Sequence, residues 1–233
     1  AFDIAVHAGT LLAVIYFFRT EIKLMIKSLI FRNNNFNDNR KLAYLLIIAT
    51  IPIVIAGLLG TDFIESNRNS IASIAYMNLL FAGFLLFAYK YSASSKSLIE
   101  LTIAGAIFIG IFQVFALFPG ASRSGTAMTA ALLIGLNLKD SSKFAFLLAI
   151  PTIFGALVFL IGDMVLYETQ INIISLVVGF LTSCIVAFLT IKYFLIFVEK
   201  IGMYPFVIYR ILLGVLLLAL IWIYQFTLIT KSM

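Results

Sequence analysis

The chain has 233 residues, 63% of them hydrophobic and only 11% charged, where a soluble domain would be about a quarter charged. Apolar runs of about 20 residues, enough to cross a ~30 Å hydrocarbon core, recur along its length, and this excludes a soluble globular protein. The net charge of +6 is the Lys and Arg surplus that membrane proteins carry on their cytoplasmic side, so no nucleic-acid partner is expected.

In chain order, the sequence opens "AFDIAVHAGTLLAV", without a methionine and already inside an apolar run. The native protein is therefore expected to begin further upstream. Six spanning helices are predicted, at 2–18, 42–60, 71–89, 144–161, 171–191 and 206–226. Between the third and fourth lies 101–136, which is apolar but broken at Pro119-Gly120 and again at Gly125. Cys184 is the only cysteine, so no internal disulfide can form, and neither a zinc cluster, a Walker loop nor a GxGxxG motif occurs.

Loop charges decide whether 101–136 crosses the bilayer or turns back. Arg19, Lys23, Lys27, Arg32, Arg40 and Lys41 mark the loop after the first span as cytoplasmic. Arg68 beside Asp62 and Glu65 puts the next loop outside, and Lys90 and Lys96 return the chain to the inside. A single crossing would then leave Lys139 and Lys143 outside. A re-entrant pair of half-helices keeps them inside, with the Asp163 and Glu168 loop outside and Lys192 and Lys200 inside. The expected architecture is thus an all-α polytopic membrane protein of six spans plus one re-entrant half-helix pair.

A faint internal echo lays "FDIAVHAGTLLAV" from Phe2 over "FAFLLAIPTIFGA" from Phe144, matching Thr10 with Thr152, and "IAYMNLL" from Ile74 over "VIYRILL" from Val207. Three spans per unit make two such units antiparallel, an inverted-topology repeat. The units would be residues 1–98 and 99–233. The first lacks a counterpart to the re-entrant element, which is expected upstream of Ala1.

Arg123 sits between two serines in "LFPGASRSGTAMTAALLIG". A guanidinium at membrane depth costs several kcal/mol unless it faces a wet cavity and has a partner. Pro119 is expected to stop the preceding half-helix, while Gly120 and Gly125 free the backbone. A half-helix starting near Thr126 would aim its unpaired N–H groups and positive dipole end at the loop. Arg123 adds a fork of donors matched to phosphate, and Ser122 and Ser124 add hydroxyls. The chemistry is that of an oxyanion site; Thr126 and Thr129 add hydroxyls to it or simply pack. Gln113, on the half-helix leading in, and His7, with Asp3 one turn before it, are further candidates for lining the site. Asp62, Glu65, Asp163 and Glu168 read as solvated loop charges, and Arg210 is accounted for by the positive-inside rule.

"GIFQVFALFPGASRSG", residues 110–125, closely resembles the Pro-Gly-x-Ser-Arg-Ser-Gly signature of undecaprenyl-diphosphate phosphatases, the bacitracin-resistance family. "FDIAVHAGTLLAVIYFFR", "FAFLLAIPTIFGA" and "YPFVIYR" at 204–210 fit as well. The resemblance implies a multi-pass enzyme of the bacterial inner membrane, with its site toward the periplasm. It would hydrolyse undecaprenyl diphosphate to the monophosphate and phosphate, recycling the lipid carrier of cell-wall synthesis. It implies Arg123 as the diphosphate clamp with Ser122 and Ser124 catalytic beside it. Gly120, Ala121, Gly125 and Thr126 would bind substrate, with Gln113 and His7 as outer candidates. A divalent cation, magnesium or calcium, would assist. The polyprenyl diphosphate and the bilayer are the expected partners, and a homodimer is left open. The family's glutamate-rich stretch leading into Ser-Ser-Thr-Gly-His does not occur in this sequence. Nucleophile and metal ligands are therefore not assigned, and the chain as it stands is expected to be catalytically crippled. The rival reading is a secondary transporter or flippase of an anionic polyprenyl lipid, which would want the same arginine.

Overall fold

The computed structural model describes residues 1–31, 37–61, 66, 70–93, 95–166 and 172–231, the side chains of 163–166 and 226–231 excepted. Arg32, Asp62, Glu65, Arg68 and Glu168 lie outside the described residues, as does the side chain of Asp163. Among the described residues nine α-helices follow in order: α1 (Phe2–Phe17), α2 (Arg19–Ile30), α3 (Asn37–Leu59), α4 (Ile71–Tyr91), α5 (Ile103–Gln113), α6 (Arg123–Leu133), α7 (Leu138–Leu166), α8 (Ile173–Ile201) and α9 (Tyr204–Lys231). Five of them (α3, α4, α7, α8 and α9) are long and apolar enough to cross a membrane, and α1 with α2 makes a sixth if that bent pair is one span.

The charged stretch after the first span, expected to be a loop, is largely helical. The chain turns by 78° after Phe17 and continues as α2, whose Met25 and Ser28 are buried while Lys23, Lys27 and Ile30 are exposed. A helix with one packed face and a mixed cationic and apolar outer face suits the membrane interface.

The central element is re-entrant. Lys96, just before it, and Leu136, its last residue, form a parallel bridge. Lys96 donates its N–H to Gly135 O at 2.9 Å and accepts from Asn137 N at 2.8 Å. The Asn137 side chain bonds Lys96 O and Asp140, and Asp140 accepts from Leu98 N at 2.9 Å. Both ends of the hairpin therefore leave the membrane at one place. Two ion pairs agree: Lys143 with Glu21 at 2.9 Å and Lys139 with Glu199 at 3.0 Å. They join the ends of the first, fourth and fifth spans on the Lys- and Arg-rich side.

Small residues let the spans approach closely, as lipid-exposed helices need. Gly9 of α1 lies on the Phe180 carbonyl and Ser183 of α8, Gly110 of α5 on the backbone at Ala49 of α3, and Gly214 of α9 on Leu79 of α4. The largest cluster of buried residues joins α3, α4, α5, α6 and α7 through Ala49, Leu85, Ile109, Ala130, Leu132 and Phe144, among others. Where α1 meets α7, Leu11, Ile153 and Leu157 form a second cluster, with Ala8 and Ile150 against it. Leu11 with Ile153 and Ala8 with Ile150 are matched positions in the internal echo.

Candidate functional site

The tip of the hairpin departs in detail from the expected course. α5 ends at Gln113, not at the proline, and a 3-10 turn over Val114–Leu117 carries the chain on. Phe118 is then extended (ψ 129°), as the residue before a proline prefers. Gly120 takes φ 93°, and a Cβ there would strike the Ile74 carbonyl of α4, so conformation and space both require glycine. α6 begins at Arg123, three residues earlier than expected. Its N-cap is Ser122, whose hydroxyl accepts from Gly125 N at 3.3 Å.

Ser122 is the one described residue other than glycine with positive φ, 73°. Such a backbone costs roughly 1–3 kcal/mol and persists only where its surroundings enforce it. Arg210 enforces it. From α9 its Nη2 donates to Gly120 O at 2.9 Å and Ala121 O at 3.0 Å, and its Nε to Asn78 Oδ1 at 2.8 Å. Asn78 Nδ2 in turn donates to Arg210 O at 2.7 Å. Nη1 lies against Gly125, where a Cβ would come within 2.8 Å. Arg210 is buried and is no cytoplasmic-end charge of the positive-inside kind: it staples the signature loop to α4 and α9.

Arg123 is the reverse case. It is half-buried, yet its side chain makes no hydrogen bond or ion pair among the described residues. The first N–H groups of α6, at Arg123 and Ser124, have no partner within the helix. At 1.5 Å per residue the 11 residues of α6 span about 16 Å, half of a ~30 Å hydrocarbon core. Its N-terminus therefore lies near the middle of the bilayer. A cleft of about 240 Å³ opens there, with Ser122, Ser124, Gly125, Asn78 and Arg210 at its polar end. Met128, Phe194, Met203, Phe206 and Tyr209 line the rest. One guanidinium, that of Arg210, and the first turn of α6 line the cleft, with no carboxylate in its lining. Arg123 stands at the same helix N-terminus outside that lining, and a helix N-terminus with a cation beside it suits an anion.

The remaining candidates are placed differently. Ala121 is fully buried; its N–H donates to Phe118 O and its carbonyl is held by Arg210. Thr126 and Thr129, also fully buried, turn their hydroxyls back onto the carbonyls of Arg123 and Gly125. Gln113 points to α7, where Nε2 donates to Thr152 Oγ1 at 3.0 Å. His7 Nδ1 donates to Asp3 O at 2.7 Å, on a helix that packs against α7 and α8. The residues missed as site members are Asn78 and Arg210. Their signal was available: a lone Asn and a lone Arg well inside apolar runs, one position apart in the aligned "IAYMNLL" and "VIYRILL".

No three His, Cys, Asp or Glu side chains cluster among the described residues. The cleft's polar end offers guanidinium, amide and hydroxyl groups, a set that favours anions and opposes a divalent cation. The residues present do not fit the implied metal, and no step through it follows.

The match to known proteins runs through these same elements. The family model described as "Bacitracin resistance protein BacA" matches residues 1–216. The undecaprenyl-diphosphatase of Alcanivorax borkumensis is 42% identical over 220 residues, covering 94% of this chain and 83% of the relative. That of Saccharophagus degradans is 43% identical over 225 residues, 95% and 84% of the two chains. The Colwellia psychrerythraea protein of the same name is 41% identical over 228 residues, 94% and 84%. A signature loop at the tip of a re-entrant hairpin and a family match spanning from α1 into α9 lead to one conclusion: the chain belongs to the bacitracin resistance protein BacA family.

Proposed function

We propose that this protein is an integral membrane phosphatase that hydrolyses undecaprenyl diphosphate. Water adds across the phosphoanhydride, giving undecaprenyl phosphate and inorganic phosphate. The observation that carries the reading is Arg123: a half-buried cation whose side chain has no partner among the described residues, at the N-terminus of a half-helix in mid-membrane. Breaking a phosphoanhydride spreads charge over phosphoryl oxygens, and fixed donors aimed at that charge lower the barrier. Arg123 would supply a bidentate clamp, the N–H groups of Arg123 and Ser124 two fixed donors, and the hydroxyls of Ser122 and Ser124 adjustable ones. Arg210 would position the loop without touching phosphate, since its Nε and Nη2 are committed to Asn78, Gly120 and Ala121. The apolar length of the cleft would take the first prenyl units of the tail.

The activated attacking group is not among these residues and must come from another element, as must the carboxylates for any divalent cation. The Lys- and Arg-rich end is read as cytoplasmic, and this supports a location in the bacterial inner membrane with the catalytic mouth toward the periplasm. The matched contacts of α1 with α7, and the pairing of α4 with α9 through Asn78 and Arg210, support the two-unit inverted repeat with its boundary near residue 98.

The test is phosphate release from undecaprenyl diphosphate in detergent, by the full-length protein and by its Arg123→Ala variant. Loss of release in the variant, with thermal stability retained, supports the reading. A folded protein that binds the lipid through Arg123 yet releases no phosphate would replace the enzyme with a carrier.

A further inference from the structure

At the other end of the hairpin, on the Lys- and Arg-rich side, a cleft of about 320 Å³ opens between the start of α5 and the end of α6. Its wall is apolar, made by Leu101, Ala104, Gly105, Phe108 and Ile134, and its polar rim carries Lys96 and Glu100. Ile103, Ile107 and Phe108 are exposed on the same half-helix, so the cleft opens sideways onto the hydrocarbon next to the interface.

The two rim charges keep unused bonding capacity. Lys96 Nζ spends one of its three N–H donors on Ile134 O, at 3.1 Å. Glu100 receives the Ser97 N–H at 2.7 Å and the Ser97 hydroxyl at 3.0 Å, both on Oε2. Its Oε1 has no hydrogen bond among the described residues, and no ion pair there joins Lys96 to Glu100. A donor cation and an acceptor anion thus stand side by side, above an apolar wall that faces lipid.

This set selects by charge. A purely anionic headgroup meets Glu100, and a cation alone meets Lys96. A choline headgroup brings a phosphate for Lys96 but no N–H for Glu100. A headgroup carrying both a phosphate and a primary ammonium satisfies each side. We propose that this cleft is a binding site for one phospholipid with an ethanolamine headgroup. Its ammonium donates to Glu100 Oε1, its phosphate accepts from Lys96 Nζ, and one acyl chain lies along Leu101, Ala104 and Phe108. The site is separate from the anion site, at the opposite end of the same two half-helices, and stands whether or not the phosphatase reading does.

Native mass spectrometry of the full chain, released from nanodiscs holding equal amounts of dioleoyl phosphatidylethanolamine, phosphatidylcholine and phosphatidylglycerol, tests it. The ethanolamine lipid should be retained over the choline lipid by up to about fivefold, the range of a solvent-exposed charge pair. Glu100→Gln keeps an acceptor for Ser97 but should bring that ratio to one. Ala104→Trp fills the cleft and should remove retained lipid altogether. Equal retention of the ethanolamine and choline lipids by the unmodified protein overturns the proposal, as does phosphatidylglycerol held as well as the ethanolamine lipid. A preference that survives Glu100→Gln overturns it too.

Discussion

The two ends of the re-entrant hairpin are built on opposite rules. At the base, Lys96, Gly135, Leu136 and Asn137 exchange backbone bonds, and Asn137 and Asp140 close the remaining gaps. At the tip, a serine holds φ 73°, the first N–H groups of α6 have no helical partner, and the Arg123 side chain makes no polar bond among the described residues. The difference shows where rigidity has to be. A loop can keep donors unspent at membrane depth only when its ends and its carbonyl side are fixed. The base fixes the ends, and Arg210 fixes the carbonyls.

Arg123→Ala breaks the tip and leaves the base alone, and it is expected to have the largest effect. Removing one donor aimed at developing charge typically costs about 10²–10³ in kcat, so phosphate release should fall by that factor with the melting temperature unchanged. Arg210→Lys should reverse the pattern. A lysine cannot span Asn78, Gly120 and Ala121 as a planar fork does, and buried acceptors left unpaired cost about 1–3 kcal/mol each. Thermal unfolding in detergent should therefore shift down clearly, with activity falling alongside it. Should Arg210→Lys keep its melting temperature but lose activity, Arg210 belongs with the substrate rather than the scaffold.

Ser122→Ala sharpens the contrast at smaller scale. It removes the N-cap of α6, worth about 1 kcal/mol, and one hydroxyl from the cleft. Ser122→Gly relieves the backbone instead, so by calorimetry it should be the more stable of the two. The smallest effect belongs to the base. The Ser97 backbone N–H, then its hydroxyl and the nearby Lys96 charge, hold the Glu100 carboxyl below its ordinary range. A carboxylate whose folded pKa lies below the unfolded value of about 4.3 stabilises the fold above that value. It loses this contribution as pH falls through the folded one. Melting curves from pH 7 down to pH 3 should show a slight destabilisation that Glu100→Gln lacks, with phosphate release at pH 7 untouched.

Much of this arrangement was legible in the sequence. Lys90, Lys96, Lys139 and Lys143 cannot be moved across a bilayer cheaply, so loop charges alone required a re-entrant element, and the bridge between Lys96 and Leu136 is its geometric form. The proposal of an oxyanion loop at residues 120–125 starts from the sequence too, because a Ser-Arg-Ser run between glycines has few other uses in an apolar chain. Arg210 was misread because an arginine six residues into a span satisfies the positive-inside rule as well as a structural role does. Its partner Asn78 lies 132 residues away, beyond any local pattern. The composition of α2 reads as a loop since charges dominate it, although Met25 and Ser28 recur at helical spacing. Pro119 suggested a sharp stop, yet α5 ends early because the chain tightens into a 3-10 turn before it.

The close crossing of α1 and α8 at Gly9 has a consequence for how the protein is made. Helix α1 packs against a partner centred on Phe180, roughly 170 residues later. At translation rates of 5–20 residues per second, α1 spends about ten to thirty seconds in the membrane before that surface exists. Its glycine face is bare to lipid for all that time. Biogenesis is thus the stage at which a bulky residue at position 9 would act: the nascent chain would insert normally, fail to close around its fifth span, and meet the membrane's quality-control proteases first.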